Sequence, residues 1–387
     1  MSAPQIPNLL SSRGGPRSRG ARGRGRGRGS GDRPGDATPA QQRKDLDIQA
    51  TDTDAAVSRL SAVSLGYLDD PFAPLFVSGA GTRRLPIINR GTYTRTTALD
   101  ILINAFLSHH ETEPNAPPQK KQIISLGAGT DTRFFRLRAK NKQQDLIYHE
   151  FDFPSVSSTK CRTVSNNEVL LKGEGNATLF VEPSMGSSGP EHESPEWGIK
   201  ETRGGQLETI YCFHPNDLRK PMKPFESFHG IQSNIPTLLI SECCLCYMEV
   251  DNARDILKWF ADRIPSLGVI LYEPIGVDDS FGQMMVANLA ARNITMPTVK
   301  LYKTLQDQKD RLSELGFIGP DGGQEAETVE RIWVQWVSPA EKERVDALEG
   351  LDEVEEWQML ARHYAITWGW KGASGWESWK ALLQQNE

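Results

Sequence analysis

Five short apolar runs rich in β-branched and aromatic residues punctuate the body of this chain, at residues 123–126, 147–153, 209–213, 237–244 and 269–272. Between the last two lies an amphipathic stretch, 252–264, with Ile256, Leu257, Phe260 and Ile264 on one face. Near-continuous apolar strands that alternate with helices are buried on both faces, which predicts an α/β fold with a doubly wound, mostly parallel sheet. A later strand is expected at 331–337, giving about seven strands in all.

Other stretches fall outside the alternation. Thr53 or Asp54 can cap a helix whose apolar side includes Val57, Leu60 and Leu65. Residues 94–107 place Leu99, Leu102, Ile103 and Phe106 at helical spacing. Both precede the first strand, so an N-terminal helical lid over about residues 47–118 is expected. Residues 183–205 are rich in Gly, Ser, Pro and Glu and read as a loop or disordered insertion. The segment 339–371 is helical in pattern, acidic early and basic late, in the sense that complements a helix dipole.

Charge divides the chain. Residues 1–44 hold ten Lys/Arg against two Asp/Glu, whereas the remainder carries a balance of −14 within a total of −6. Arg-Gly repeats between Arg19 and Gly29 supply no burial energy and repel one another, so residues 1–46 read as a disordered tail ahead of a domain spanning 47–387. Such a tail can contact RNA phosphates, but it has no aromatic stacking platform, and a solubilising role fits better. The acidic body is a poor nucleic-acid surface. No apolar run approaches the roughly 18 residues of a membrane span, and the N-terminus has no apolar signal core. Five cysteines, odd in number and clustered, suit a reducing compartment. A soluble, intracellular, monomeric protein is expected. No metal is expected either: Cys243-Cys244-Leu245-Cys246 on a strand cannot wrap a cation tetrahedrally and has no paired histidine. The adjacent His109 and His110 read as exposed, and the C-terminal tryptophans as packing residues rather than a peptide groove.

Chemistry concentrates at strand ends. IISLGAGTDTR (123–133) is a strand entering a tight glycine turn. Thr132 stands where a dinucleotide fingerprint needs its third glycine, which favours a ligand without a pyrophosphate, such as S-adenosylmethionine. Asp152 ends the next strand and can accept from ribose hydroxyls, with Glu150 a competitor on the same face by alternation. Asp217 and Leu218 in NDLR (216–219) follow the third strand and can flank an adenine. Glu242 closes the longest apolar run, at the edge where open α/β sheets bind ligands.

Taken together, INRGTYTR (88–95), LGAGTDTR (126–133), YHEFDFP (148–154), NDLR, LLISECCLCYM (238–248) and FGQMM (281–285) resemble the leucine carboxyl methyltransferases. These enzymes methylate the C-terminal leucine carboxylate of the type 2A protein phosphatase catalytic subunit. The resemblance covers about residues 48–370, including RHYAITWGWKG near the end, and leaves out the Arg-Gly tail and the 183–205 insertion. It implies S-adenosylmethionine as cofactor, the phosphatase as partner and a cytoplasmic location with a nuclear pool. By position, it implies that Arg59 and Arg95 are catalytic and cofactor-binding, with Arg95 gripping the methionine carboxylate. Gly127 becomes the turn contact, Asp152 the ribose acid, Asp217 and Leu218 the adenine pair, and Glu242 the acid near the amino group. Without it, Arg59 and Arg95 read as ordinary helix arginines. Two alternatives stand beside this reading: a carboxyl methyltransferase of a hypermodified tRNA base, and an inactive methyltransferase-fold scaffold.

Overall fold

A computed structural model describes residues 39–384 apart from 80, 109–119, 141–144, 174–175, 183–193, 204–206 and 373–374. His109, His110 and most of the Arg-Gly tail therefore lie outside the described residues. Nine strands form one sheet: β1 (Lys121–Leu126), β2 (Leu146–Asp152), β3 (Asn176–Val181), β4 (Trp197–Arg203), β5 (Leu207–Pro215), β6 (Thr237–Glu242), β7 (Leu267–Pro274), β8 (Gly322–Thr328) and β9 (Tyr364–Lys371). Their spatial order is β3-β4-β5-β2-β1-β6-β7-β9-β8. The central five, β5-β2-β1-β6-β7, are all parallel, and antiparallel pairing begins only at β4 and β9. The expected doubly wound parallel core is present, with nine strands rather than seven.

Burial explains the parallel core. β1, β2 and β7 are buried at every position, and β6 at all but its last residue. Two apolar clusters fill opposite faces, one around Ile123, Tyr148 and Ile240, the other around Ile124, Phe151 and Leu239. Alternate residues of each strand feed alternate clusters, as a strand's period of two requires.

Three sequence expectations are corrected. The expected strand at 331–337 is instead mostly helix, Val329–Trp336, capped by Thr328 Oγ1 accepting from Arg331 N at 3.2 Å, with Val337 just past its end. Its buried residues Val329, Ile332 and Trp333 follow i, i+3, i+4 spacing, which also gives a misleading apolar alternation at its end. The segment 339–371 holds helices Pro339–Asp346 and Val354–Arg362 but ends in β9, whose residues Tyr364–Trp370 are all buried. Within 183–205, residues 197–203 form β4, pairing with both β3 and β5.

The N-terminal helices are longer than expected. α1 spans Pro39–Ser64, so it begins inside the stretch read as tail, and Thr53 and Asp54 sit within it rather than at its cap. α2 spans Pro86–Leu107, with proline at its first turn. After β1 come α3 (Arg133–Ala139) and, after β2, α4 (Pro154–Ser165). Trp357, Trp368, Trp370, Trp376 and Trp379 are all buried, as packing demands and a peptide groove does not.

Candidate functional site

β1 lies where strand order reverses, with β2 on one side and β6 on the other, the switch point at which open α/β sheets bind ligands. The chain leaving β1 turns through Gly127 and Gly129, both left-handed at φ +61° and +51°, which L side chains adopt only at a cost. A Cβ on Gly127 would come within 2.6 Å of Cys244 Sγ. The turn is held by Gly127 N donating to Phe151 O at 2.8 Å and Gly129 N donating to Asp152 Oδ2 at 2.7 Å.

Arg59, Arg95, Gly127, Asp152, Asp217, Leu218 and Glu242 all border one cavity of about 160 Å³ at this edge. Sequence position alone scattered them over some 180 residues; the switch point gathers them. Glu150 is not among them. It is fully buried beside Lys160 Nζ (2.5 Å) and Tyr211 Oη (2.7 Å), so of the two carboxylates it is Asp152 that borders the cavity. Cys243, Cys244 and Cys246 lie beyond the end of β6 rather than on it, and Cys243 is itself left-handed at φ +49°.

Electrostatics divides the cavity into two ends. At one end, Glu242 accepts from Arg95 Nε at 2.8 Å and from Arg133 Nη2 at 2.7 Å. Burial pushes the Glu242 carboxyl up, but the two guanidinium groups outweigh it and hold the group below its ordinary value. Asp131 is likewise held low against burial by Arg133 and Arg59. Arg59 is paired only loosely, 3.5 Å from Asp70 and 3.8 Å from Asp131, and burial pulls its pKa down further than these acids restore it. An anion arriving beside Arg59 relieves that deficit.

At the other end, Asp152 accepts from Gly129 N and Phe153 N, both at 2.7 Å. Burial first, and the neighbouring Asp52 charge second, push it up to about 7 despite those bonds. Asp52 comes from α1. Its Oδ1 accepts from Thr130 N and Thr130 Oγ1, both at 2.7 Å, so the helix closes directly on the glycine turn. Two further contacts pin α1 to the cavity rim: Asp45 with Arg219 at 2.5 Å and Gln49 with Ser155 at 2.8 Å. Arg219 also holds Asp217, with Nε and Nη2 both at 2.8 Å.

Sequence reasoning missed Asp52, Asp131 and Arg133. The last two stand in the quoted LGAGTDTR motif, where an acid and a base two residues apart at a strand-end turn are a readable signal. Asp52 carries none, because its place depends on how α1 crosses the sheet.

Comparison with known proteins bears on what the cavity does. A sequence model of the family described as leucine carboxyl methyltransferase matches residues 47–261. Leucine carboxyl methyltransferase 1 of Emericella nidulans is 44% identical, covering 100% of this chain and 99% of its own. The chain belongs to the leucine carboxyl methyltransferase family. The protein of the same name from Schizosaccharomyces pombe is 38% identical over 83% of this chain and 94% of its own, and that of Bos taurus 33% over 85% and 91%. A solved plantazolicin methyltransferase in complex with SAH is more distant, at 9% identity and a TM-score of 0.36 over 86% of this chain and 98% of that one.

As a leucine carboxyl methyltransferase the chain is an enzyme, and its cofactor is S-adenosylmethionine. The donor set fits that group. A cradle of left-handed glycines stands beside a carboxylate with unused lone pairs at Asp152, and the partly buried Arg59 and Arg95 stand at the opposite end. Leu218, itself buried, supplies an apolar wall beside Asp217.

Proposed function

We propose that this enzyme methylates the C-terminal leucine carboxylate of the catalytic subunit of type 2A protein phosphatase. What carries the reading is the gathering of seven separately identified residues around one cavity at the β1 switch point, with an under-compensated arginine at its anionic end. Bound S-adenosylmethionine would supply an electrophilic methyl group. Asp152 would take the ribose hydroxyls, Asp217 and Leu218 the adenine, and Arg95 with Arg59 the amino-acid end.

The chain needs no general base for this substrate. An α-carboxyl group has a reference pKa of about 3.3–3.7 and reaches the site already anionic at pH 7. The protein's task is positioning and exclusion of water, and proximity alone can supply about 7–11 kcal/mol of the barrier. α1 does the excluding: its residues 45, 49 and 52 contact three rim elements at once. Arg59 is suited to orient one carboxylate oxygen while leaving the other to react, since its existing ion pairs are long. The same reading places the enzyme in the cytoplasm with a nuclear pool, acting as a monomer, and leaves the Arg-Gly tail outside catalysis.

The experiment is methyl transfer from labelled donor to folded phosphatase, to phosphatase lacking its last leucine, and to tRNA. Base-labile label on the intact phosphatase alone supports the reading. Label on tRNA alone transfers the activity to the base-modifying alternative, and donor binding without transfer to either favours the scaffold.

A further inference from the structure

His149 on β2 and Cys212 and His214 on β5 are fully buried on one face of the sheet, away from the residues assigned to methyl transfer. One ligand-capable atom from each of His149, Cys212 and His214 lies within 4.8 Å of those of the other two. The two ring nitrogens face each other at 2.9 Å.

The outer nitrogens fix what lies between the inner ones. His149 Nε2 is 3.1 Å from Gln122 Oε1. The Gln122 amide cannot be reversed, because its Nε2 donates to Gln232 O at 2.9 Å while its Oε1 accepts from Gln232 N at 2.9 Å. Gln122 Oε1 is therefore an acceptor, and His149 must carry its proton on Nε2. On the other side, His214 Nδ1 lies 2.9 Å from Glu196 Oε1, out of hydrogen-bond alignment, and at that distance an ionised carboxylate favours an N–H over a lone pair. Both facing nitrogens, His149 Nδ1 and His214 Nε2, then present lone pairs. Two lone pairs at that distance repel unless a cation sits between them: a shared proton or a metal ion.

We propose that His149, Cys212 and His214 form a buried site for a soft divalent cation, with Zn²⁺ as the fitting ion. The donor set is two imidazoles and a thiol, and the outer partners repeat the carbonyl–histidine and carboxylate–histidine contacts that orient metal ligands. Binding conserves charge. The shared proton and the Cys212 thiol proton leave together as Zn²⁺ enters, so the cluster keeps a single positive charge opposite Glu196. The facing nitrogens need to part by about 0.4 Å to span tetrahedral positions at Zn–N lengths near 2.0 Å, and the thiol, within 4.8 Å of them, to close toward the ion. The loop carrying Gly230 covers the site, where a Cβ would lie 3.5 Å from Cys212 Sγ and 3.8 Å from the His149 ring. Cysteine spacing points only to Cys243, Cys244 and Cys246; these ligands come from two neighbouring strands and leave no such spacing.

The test uses tag-free, full-length protein, reduced and stripped with chelator. It is titrated with Zn²⁺ against a chromophoric competitor and, separately, loaded with Co²⁺. One Zn²⁺ per chain is expected, with a thiolate-to-cobalt charge-transfer band in the near ultraviolet that Cys212→Ala removes. Glu196→Gln, which keeps the side-chain shape, is expected to weaken Zn²⁺ binding by about 10–100-fold. No uptake in competition, or a cobalt spectrum without the thiolate band, overturns the proposal and leaves the shared proton as the cation. So does a band that survives in Cys212→Ala. If that variant fails to fold, the wild-type cobalt spectrum together with Glu196→Gln still decides.

Discussion

Arg95 and Arg133 share one carboxylate, Glu242, and this sharing separates their roles. Arg133 is 1% exposed at its side chain and ties Glu242 to Asp131, whereas Arg95 is 18% exposed and borders the cavity. Arg95→Met should therefore leave Glu242 paired and the fold intact. Loss of one charge-assisted contact to the donor is worth about 1.5–3 kcal/mol, so titration calorimetry should show donor affinity falling by roughly 10–100-fold. Asp152 gives a pH prediction. Its folded pKa is raised to about 7, so the free protein holds that proton more tightly than the unfolded chain does. The group's contribution to stability is present at low pH and lost as pH rises from about 4 through 7. The ribose and a cationic donor favour the ionised form, so donor affinity should climb as pH passes upward through about 7. Asp152→Asn should flatten that profile; an unchanged slope would remove Asp152 from the site. Asp52→Asn removes the adjacent like charge and should shift the midpoint of the wild-type profile downward.

At the scale of elements, the contacts of α1 with the glycine turn, with α4 and with Arg219 make it a cover rather than an independent helix. Gly129→Ala tests the closest of these contacts. The new methyl group would meet the Asp52 carboxylate and force a left-handed backbone on alanine, at a cost of about 1–3 kcal/mol in chemical unfolding. The parallel core was legible because β1, β6 and β7 carry short apolar runs of strand length and β2 a mixed apolar and aromatic one. β9 was not: its run, Tyr364–Lys371, follows a helix without a breaker, and only pairing with β7 and β8 makes it extended. The helix Val329–Trp336 was misread for the opposite reason, since its apolar residues satisfy both periods over so short a span. β4 sits in a polar stretch, where its apolar signal is confined to Trp197 and Ile199.

Across the whole molecule, the site rests on buried charge beneath it. Lys160 joins Glu150, at 2.5 Å, to the Asp131 carbonyl at 2.7 Å, with both side chains about 1% exposed or less. Breaking such a pair leaves an uncompensated buried charge, so Lys160→Met should cost about 3–5 kcal/mol in denaturant titration. Donor affinity should fall with it, because Asp131 anchors Arg133 and, through it, Glu242. Motifs located Arg95, Gly127, Asp152, Asp217, Leu218 and Glu242, and position within the family resemblance located Arg59. Of the charges that hold those residues in place, Asp131 and Arg133 stand in the LGAGTDTR motif, whereas Asp52 and Lys160 become visible only when distant segments meet. The central claim is that this cavity transfers a methyl group to a terminal leucine carboxylate. Its most direct measurement is the mass of the phosphatase C-terminal peptide after incubation with enzyme and S-adenosylmethionine. A single added methyl on the leucine carboxyl, released by mild base and much reduced with Arg95→Met at the same limiting donor concentration, is the predicted result. An unmodified terminus despite measured donor binding would contradict it.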